Sequence, residues 1–212
     1  MKYPSKYVVW DLETTGLDPK TCEIVEVAAL RIEDGEIVDS YTAILNHDID
    51  IPEQASNIHG ITREKAKAEG VDPVKGIERL LDLITGWEAT VTHNGHRFDI
   101  PFLLETLKRL WGPESKDVYR IQDVITKNCI DTAVLRKAEL LNERRMWNES
   151  FSDFSNRIMN IRAYGVKFNI KQCCEDMNID QSAVTLHRAG GDVEMTNEIY
   201  KRICLKPIPP IN

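Results

Sequence analysis

The stretch Tyr7-Val8-Val9-Trp10-Asp11-Leu12-Glu13 constrains the fold of this chain more than any other. Tyr7 to Leu12 is almost wholly apolar and rich in valine, the pattern of a strand buried on both faces; such strands occur where helices cover a sheet from either side. Asp11 and Glu13 break the pattern two residues apart, so both project from one side of the strand's end and can meet one ion. Thr14-Thr15-Gly16 then turns the chain. Counted together with two further strings downstream, an apolar strand running straight into two same-side acids and a turn favours a metal site over a solvated strand end.

Downstream segments extend this strand into a sheet. Glu23 to Ile32 and Glu36 to Leu45 read as two further strands joined at Asp34-Gly35, a pair suited to a tight hairpin turn. From Thr62 onward the period changes. Pro73 to Thr85 carries Val74, Ile77, Leu80, Leu81, Leu83 and Ile84 at helical spacing, Ala89 to Thr92 is a short strand, and Asp99 to Leu110 is a helix. Asn128 to Asp131 forms another short strand that leads into a helix to about Leu141. A last helix runs from about Gly191 to Cys204, with Val193, Ile199, Tyr200 and Ile203 near one stripe. An antiparallel meander followed by crossover helices implies an α/β fold, a mixed sheet with helices on both faces. With 212 residues and no Gly/Ser linker or low-complexity stretch, the chain is expected to be one domain spanning residues 1–212.

Two further strings carry chemistry. In His93-Asn94-Gly95-His96-Arg97-Phe98-Asp99 the final acid starts a helix, where it can serve as a cap, a ligand or both. In His187-Arg188-Ala189-Gly190-Gly191-Asp192 a histidine precedes an acid by five residues. On a continuous helix the two would stand about 140° apart. Gly190 and Gly191 instead predict that the helix starts late and leaves His187 on a loop, able to approach an attacking water and withdraw. Acids gathered from distant segments hold hard divalent cations beside a phosphate, because such ions prefer oxygen ligands, and a nearby histidine supplies a base. The combination reads as a metal-dependent phosphodiesterase.

The three strings, in this order, resemble the DnaQ-like 3′-to-5′ exonucleases of the DEDDh type, within the ribonuclease H-like superfamily. That family carries DxE at the end of its first strand, FD or YD in the middle, and HxAxxD near its C-terminus. Here these are Asp11 and Glu13, Phe98 and Asp99, and His187, Ala189 and Asp192. The spacer Gly95-His96-Arg97 is more similar to that of bacterial exonuclease I and the animal three-prime repair exonucleases than to that of bacterial proofreading subunits. The resemblance spans residues 6 to about 204 and implies a ribonuclease H-like fold, a five-stranded mixed sheet of order 3-2-1-4-5.

It also implies two Mg²⁺ or Mn²⁺ ions bridged by Asp11, with Glu13 and Asp192 completing one site, Asp99 supporting the other largely through water, and His187 acting as general base. Thr14, Thr15, Gly16 and Leu17 are implied to line the terminal nucleotide, with Phe98 near its sugar or base. His59, in Ile58-His59-Gly60, resembles a segment that contacts the same nucleotide; the alternative is an exposed loop histidine. The implied activity is release of nucleoside 5′-monophosphates from single-stranded DNA or frayed 3′ ends. An exoribonuclease of the same family and a non-catalytic nucleic-acid-binding or polymerase-associated module are the alternatives. The implied partners are single-stranded DNA or RNA 3′ ends and a DNA polymerase or another replication or repair protein.

Other residues read as supports. His93 and Asn94 are expected to hold the loop that presents Asp99, with contact to substrate as the alternative, and Asp131 to cap the helix that follows it with a secondary influence on the site. Residues 142–171 form an insertion with six basic side chains against three acids, interleaved with Trp147, Phe151, Phe154, Tyr164 and Phe168. Such a mixture suits a single strand, whose phosphates need neutralising and whose bases stack on rings; aromatics facing the core fit the pattern equally. The proline-rich segment 206–212 reads as a frayed tail. A net charge of −7 argues against a broad electrostatic grip on duplex nucleic acid but leaves room for a local basic groove. The five cysteines are odd in number and show no C-x-x-C pairing, which points to thiols in a reducing compartment. With no signal-peptide apolar region and no apolar run near the roughly 20 residues that span a membrane, a cytoplasmic protein without a membrane partner is expected.

Overall fold

The computed structural model describes residues 4–204, so the proline-rich segment 206–212 lies outside the described residues. β1 (Lys6–Thr14), β2 (Ile24–Glu33) and β3 (Glu36–Ile44) form an antiparallel meander. Asp34 and Gly35 turn it with φ of 50° and 94°, the positive values that a two-residue hairpin loop matching the twist of its strands requires. After α1 (Glu53–His59), α2 (Arg63–Glu69) and α3 (Pro73–Ile84), β4 (Thr90–Thr92) returns parallel to β1. After α4 (Asp99–Trp111) and α5 (Lys116–Lys127), β5 (Cys129–Asp131) returns parallel to β4. α6 (Thr132–Leu140), α7 (Phe151–Asn160), α8 (Ile170–Asp176) and α9 (Ala189–Cys204) follow. The sheet order is β3-β2-β1-β4-β5, the ribonuclease H-like arrangement.

The two-residue period of β1 decides where its acids go. Val8, Trp10 and Leu12 point into a cluster with Leu80 and Leu83 of α3, Phe102 and Leu107 of α4, and Ile121 and Ile125 of α5. Tyr7 and Val9 point the other way, among Val134 of α6, Phe154 and Ile158 of α7, and Val193 and Tyr200 of α9. Asp11 and Glu13 continue the row of Tyr7 and Val9 and therefore emerge on the face that α9 covers. At about 1.5–3 kcal/mol for each fully buried large apolar side chain, these two clusters hold the end of β1 firmly in place.

Tertiary packing alters the sequence reading at three places. Residues 116–127, outside the elements read from the sequence, form α5, in which Val118, Ile121 and Ile125 recur at helical spacing and bury one stripe. α9 begins at Ala189, two residues before the start predicted at Gly191, because a carboxylate from β2 caps it. Residues 142–171 divide their aromatics between two roles. Phe154 is buried and Phe151 and Phe168 pack on the same cluster, whereas Trp147 and Tyr164 are 90% and 92% exposed. Part of the basic charge here serves the fold: Arg157 meets Glu149 at 2.7 Å and Glu143 at 2.9 Å, and the Arg145 guanidinium lies 4.2 Å from the Phe151 ring centre. All five cysteines are free, with Cys173 and Cys174 packed between α8 and α9. No helix among the described residues is long and apolar enough to cross a membrane.

Candidate active site

Asp11 and Glu13 at the end of β1 meet Asp192 from the first turn of α9. One carboxylate oxygen from each lies within 4.8 Å of the others. Asp99 stands beside this trio, and its place follows from the shortness of β4. β4 pairs with β1 only at Val8 and Val9, which leaves the Leu12 N–H beyond its reach; that N–H donates to Asp99 Oδ1 at 3.0 Å. Phe98 occupies the N-cap position of α4 without a side-chain bond, so Asp99 is the first helical residue and its carboxylate is turned toward β1 instead of capping.

Four acids crowded together, Asp99 and Asp192 buried and Asp11 and Glu13 half-buried, resist ionisation. Burial, followed by Asp99, Asp192, Glu13 and Glu26, pushes Asp11 well above the ordinary carboxylate value. Burial, then Asp192, Glu26 and Asp99, raises Glu13 to about 8, with Arg188 opposing. Asp99 is raised to about 8 by burial, against its own N–H and that of Leu12, with Asp131 and Asp192 adding to the rise. Asp192 is raised to about 6 by burial, against the N–H and charge of His187. An all-oxygen donor set that repels its own charges is what a hard divalent cation neutralises, so the residues fit Mg²⁺ or Mn²⁺.

His187 lies on the loop before α9 with φ of 60°, the left-handed region. Its backbone N–H donates to Asp192 Oδ1 at 3.2 Å, and the Asp192 N–H donates to the Arg188 carbonyl at 2.9 Å. Histidine and acid are thus tied to each other across the helix start. Gly191 is required by a close approach, since a Cβ there would stand 2.3 Å from the Thr185 carbonyl oxygen.

The expected supports are in place. Asp131 Oδ1 accepts the N–H groups of Ala133 at 3.0 Å and Val134 at 3.3 Å, capping α6, and also that of Asn94 at 2.8 Å. It thereby ties the loop that leads to Asp99 to the end of β5. His93 bridges Thr132 Oγ1 at 2.9 Å and the Phe168 carbonyl at 2.8 Å. Buried Lys137 donates to the carbonyls of Met159 at 3.1 Å and Ile161 at 2.8 Å, fixing the other end of the strap between α7 and α8.

That strap forms one wall of a cleft of about 800 Å³, lined by the four acids, His187, Phe98, Phe168, Arg97, Lys167 and Lys171 among others. Lys167 and Lys171 are exposed and take part in no ion pair among the described residues; Arg97 donates to Asn160 Oδ1 at 2.9 Å. Of the residues implied to contact the nucleotide, Phe98 lines this cleft. Thr14 and Thr15 are buried in the turn after β1, where the Thr14 hydroxyl donates to the Gly16 carbonyl at 2.6 Å and Thr15 Oγ1 accepts the Glu23 N–H at 3.0 Å. Gly16 packs against Cys22, where a Cβ would stand 2.7 Å from the sulfur, and Leu17 is 86% exposed just beyond. His59 is 3% exposed, which removes the exposed-loop alternative; its Nδ1 accepts the Ile61 N–H at 3.1 Å. Burial lowers the His59 pKa, opposed by the Thr14 carbonyl. A second hollow of about 620 Å³, lined by Glu78, Asp82, Trp111 and Arg120, holds none of the four acids.

Sequence reasoning passed over Glu26 and Arg188. The signal was present for one of them, because Glu26 is a lone acid in the apolar run Ile24-Val25-Glu26-Val27-Ala28. For Arg188 the family pattern leaves the position open.

A mixed sheet of this order, with clustered carboxylates at the end of its central strand in a cleft that Arg97, Lys167 and Lys171 also line, defines a hydrolase of the ribonuclease H-like class. Within it, the RNase_T exonuclease family model matches residues 8–200, and the chain belongs to this exonuclease family, as the three DnaQ-like strings implied. The chain is similar to the PolC-type DNA polymerase III of Thermotoga petrophila, with 35% identity over 137 residues covering 63% of this chain and 9% of that protein. The corresponding protein of Clostridium perfringens is 26% identical over 211 residues, covering 98% of this chain and 13% of the relative. Among solved structures, the zinc-bound form of an E. coli exonuclease I complex with single-stranded DNA matches with a TM-score of 0.71 and 20% identity, over 96% of this chain and 41% of that one. The chain therefore spans about a tenth of the polymerases it matches, by the 9% and 13% coverage, and about two fifths of exonuclease I, by the 41%.

Proposed function

We propose that the chain is a single 3′-to-5′ exonuclease domain that releases nucleoside 5′-monophosphates from single-stranded DNA or frayed 3′ ends. The observation that carries this reading is the meeting of Asp11, Glu13 and Asp192 oxygens within 4.8 Å in a cleft that Arg97, Lys167 and Lys171 also line. Divalent ions held by the four acids would lower the pKa of an attacking water and neutralise charge on the leaving 3′ oxygen. The residues of the chain do the rest. His187 accepts the proton of that water, held at the site through its backbone bond to Asp192. Phe98 and Phe168 offer apolar faces to sugar or base, while Lys167 and Lys171 receive the phosphates upstream of the scissile bond. Thr14 to Leu17, in the turn after β1, and His59, at the end of α1, border the terminal nucleotide.

A non-catalytic module would have no need to keep four acids and a histidine together in one cleft. The polymerase relatives favour an association with a replication or repair protein. Matched DNA and RNA oligonucleotides, each labelled at the 5′ end and offered with a free or a blocked 3′ end in Mg²⁺ or EDTA, test the reading. Stepwise shortening of the free-ended DNA in Mg²⁺ alone is expected. Faster shortening of RNA would transfer the reading to an exoribonuclease, and shortening of 3′-blocked strands or none at all would overturn it.

A further inference from the structure

α9 starts where the local sequence says a helix should not. Gly190 and Gly191, the poorest helix formers after proline, occupy its first turn, and Arg188, just before Ala189, has no acceptor with which to satisfy the first N–H groups. Ser, Thr, Asp or Asn would ordinarily do this from that position. Here the acceptor comes from another element. Glu26 on β2, 163 residues away in sequence, accepts the Ala189 N–H at 2.9 Å. The same carboxylate takes the Arg188 side chain as a fork, with Nε 3.1 Å from both oxygens and the terminal nitrogen 2.5 Å from Oε1.

Glu26 is 0% exposed and pairs directly across the sheet with Glu13. A carboxylate buried beside an acid cluster needs a cation of its own, and Arg188 supplies it. Arg188 also sits in the middle of the unit that matters. His187 precedes it, its carbonyl accepts the Asp192 N–H at 2.9 Å, and Asp192 in turn accepts the His187 N–H at 3.2 Å. One anchor therefore fixes the direction of both groups.

We infer that Glu26 and Arg188 form a positioning pair that seats the first turn of α9 on β2, so that His187 and Asp192 reach the carboxylates of β1 in register. This rests on the exonuclease reading of that site. Neither residue touches the reacting atoms; both act through His187 and Asp192.

The test uses the full chain with Arg188→Gln, Arg188→Lys and Glu26→Gln, each measured for kcat and KM on a single-stranded DNA oligonucleotide in saturating Mg²⁺. Loss of such a support is expected to lower kcat by about 10- to 100-fold with little change in KM. Arg188→Lys keeps the charge without the fork and should recover part of the loss. Combined with His187→Ala, Arg188→Gln should cost less than it does alone, because one of the groups it positions is gone. Losses that multiply fully, a rise in KM alone, or a wild-type kcat in any of the three would overturn the pair as a positioning device. Hydrogen exchange at the Ala189 and Asp192 amides gives a readout independent of activity: it should quicken in Arg188→Gln, and unchanged exchange overturns the inference. If Arg188→Gln does not fold, Arg188→Lys carries both measurements. A wild-type chain without nuclease activity would refute the exonuclease reading instead, leaving the exchange result to decide the pair.

Discussion

Replacing Asp11 by Asn is expected to do two opposite things, abolishing turnover while stabilising the metal-free protein. Burial, with Asp99, Asp192, Glu13 and Glu26 nearby, pushes the Asp11 carboxyl well above its ordinary pKa. Folding must then either protonate it or crowd charges. Protonating a carboxyl of ordinary pKa 3.8 at pH 7 costs about 4 kcal/mol, at roughly 1.4 kcal/mol per unit. Keeping it ionised against one charged neighbour within 4.8 Å costs at least about 3.5 kcal/mol at an effective dielectric of about 20. Asn escapes either cost, less about 1–3 kcal/mol for an amide whose partners are incomplete. The net gain is about 1–3 kcal/mol, or roughly 2–10 °C in Tm for a chain of this length.

The pH dependence has a definite sign. A carboxyl whose pKa is raised by folding contributes its full stability below the unfolded value and loses it as pH climbs through the folded value. Glu13 and Asp99, at about 8, and Asp192, at about 6, share that behaviour. Metal-free wild type should therefore lose Tm as pH rises from about 4 to about 8, and the advantage of Asp11→Asn should vanish near about pH 4. Mg²⁺ should reverse the order, because a ligand at 100 times its Kd that binds only the folded state adds about 2.7 kcal/mol, available to the wild type and not to the variant. Scanning calorimetry in EDTA and in Mg²⁺ across this range, beside mononucleotide release, measures all of it. A variant no more stable than wild type without metal, or one with an equal Mg²⁺-dependent rise in Tm, refutes the reasoning.

His187→Ala should lower turnover by about 10² to 10⁴ while the Mg²⁺-dependent rise in Tm persists; an undiminished rate would show that another group takes the proton. Phe154→Ala should cost about 3–5 kcal/mol in urea unfolding, whereas Trp147→Ala, at an exposed ring, should stay within about 0.5 kcal/mol. Equal losses would contradict the division of aromatics between core and surface. Changing Lys167 and Lys171 together to Gln should flatten the salt dependence of oligonucleotide binding by about 0.7 in slope for each phosphate left without its cation. A slope like that of wild type would place the strand on another wall of the cleft.

Much of the site is legible without coordinates, for local reasons. The two-residue period puts Asp11 and Glu13 on one side of β1, Asp34-Gly35 is a turn because both positions tolerate positive φ, and Asp131 precedes a helix that it caps. The 142–171 segment resists such reading, because a ring facing a core and a ring facing a nucleotide obey the same periodicity. Only packing separates Phe154, buried against the β1 face, from Tyr164, which stands in solvent.

Residue order and period alone single out the candidate side chains, their sequence along the chain, and a buried strand that delivers two of them to its end. Tertiary structure decided which face of the sheet they serve, and it placed α9, rather than α4, over the row of Asp11 and Glu13. It turned Asp99 from a cap into a partner of the Leu12 N–H, because β4 is too short to reach that far along β1. It started α9 at Ala189, through a glutamate 163 residues away. The last two share one physical reason. Periodicity records which side of an element is apolar, but a backbone N–H left open at a strand or helix end takes whatever acceptor the packed fold brings to it, and that acceptor leaves no mark in the neighbouring sequence.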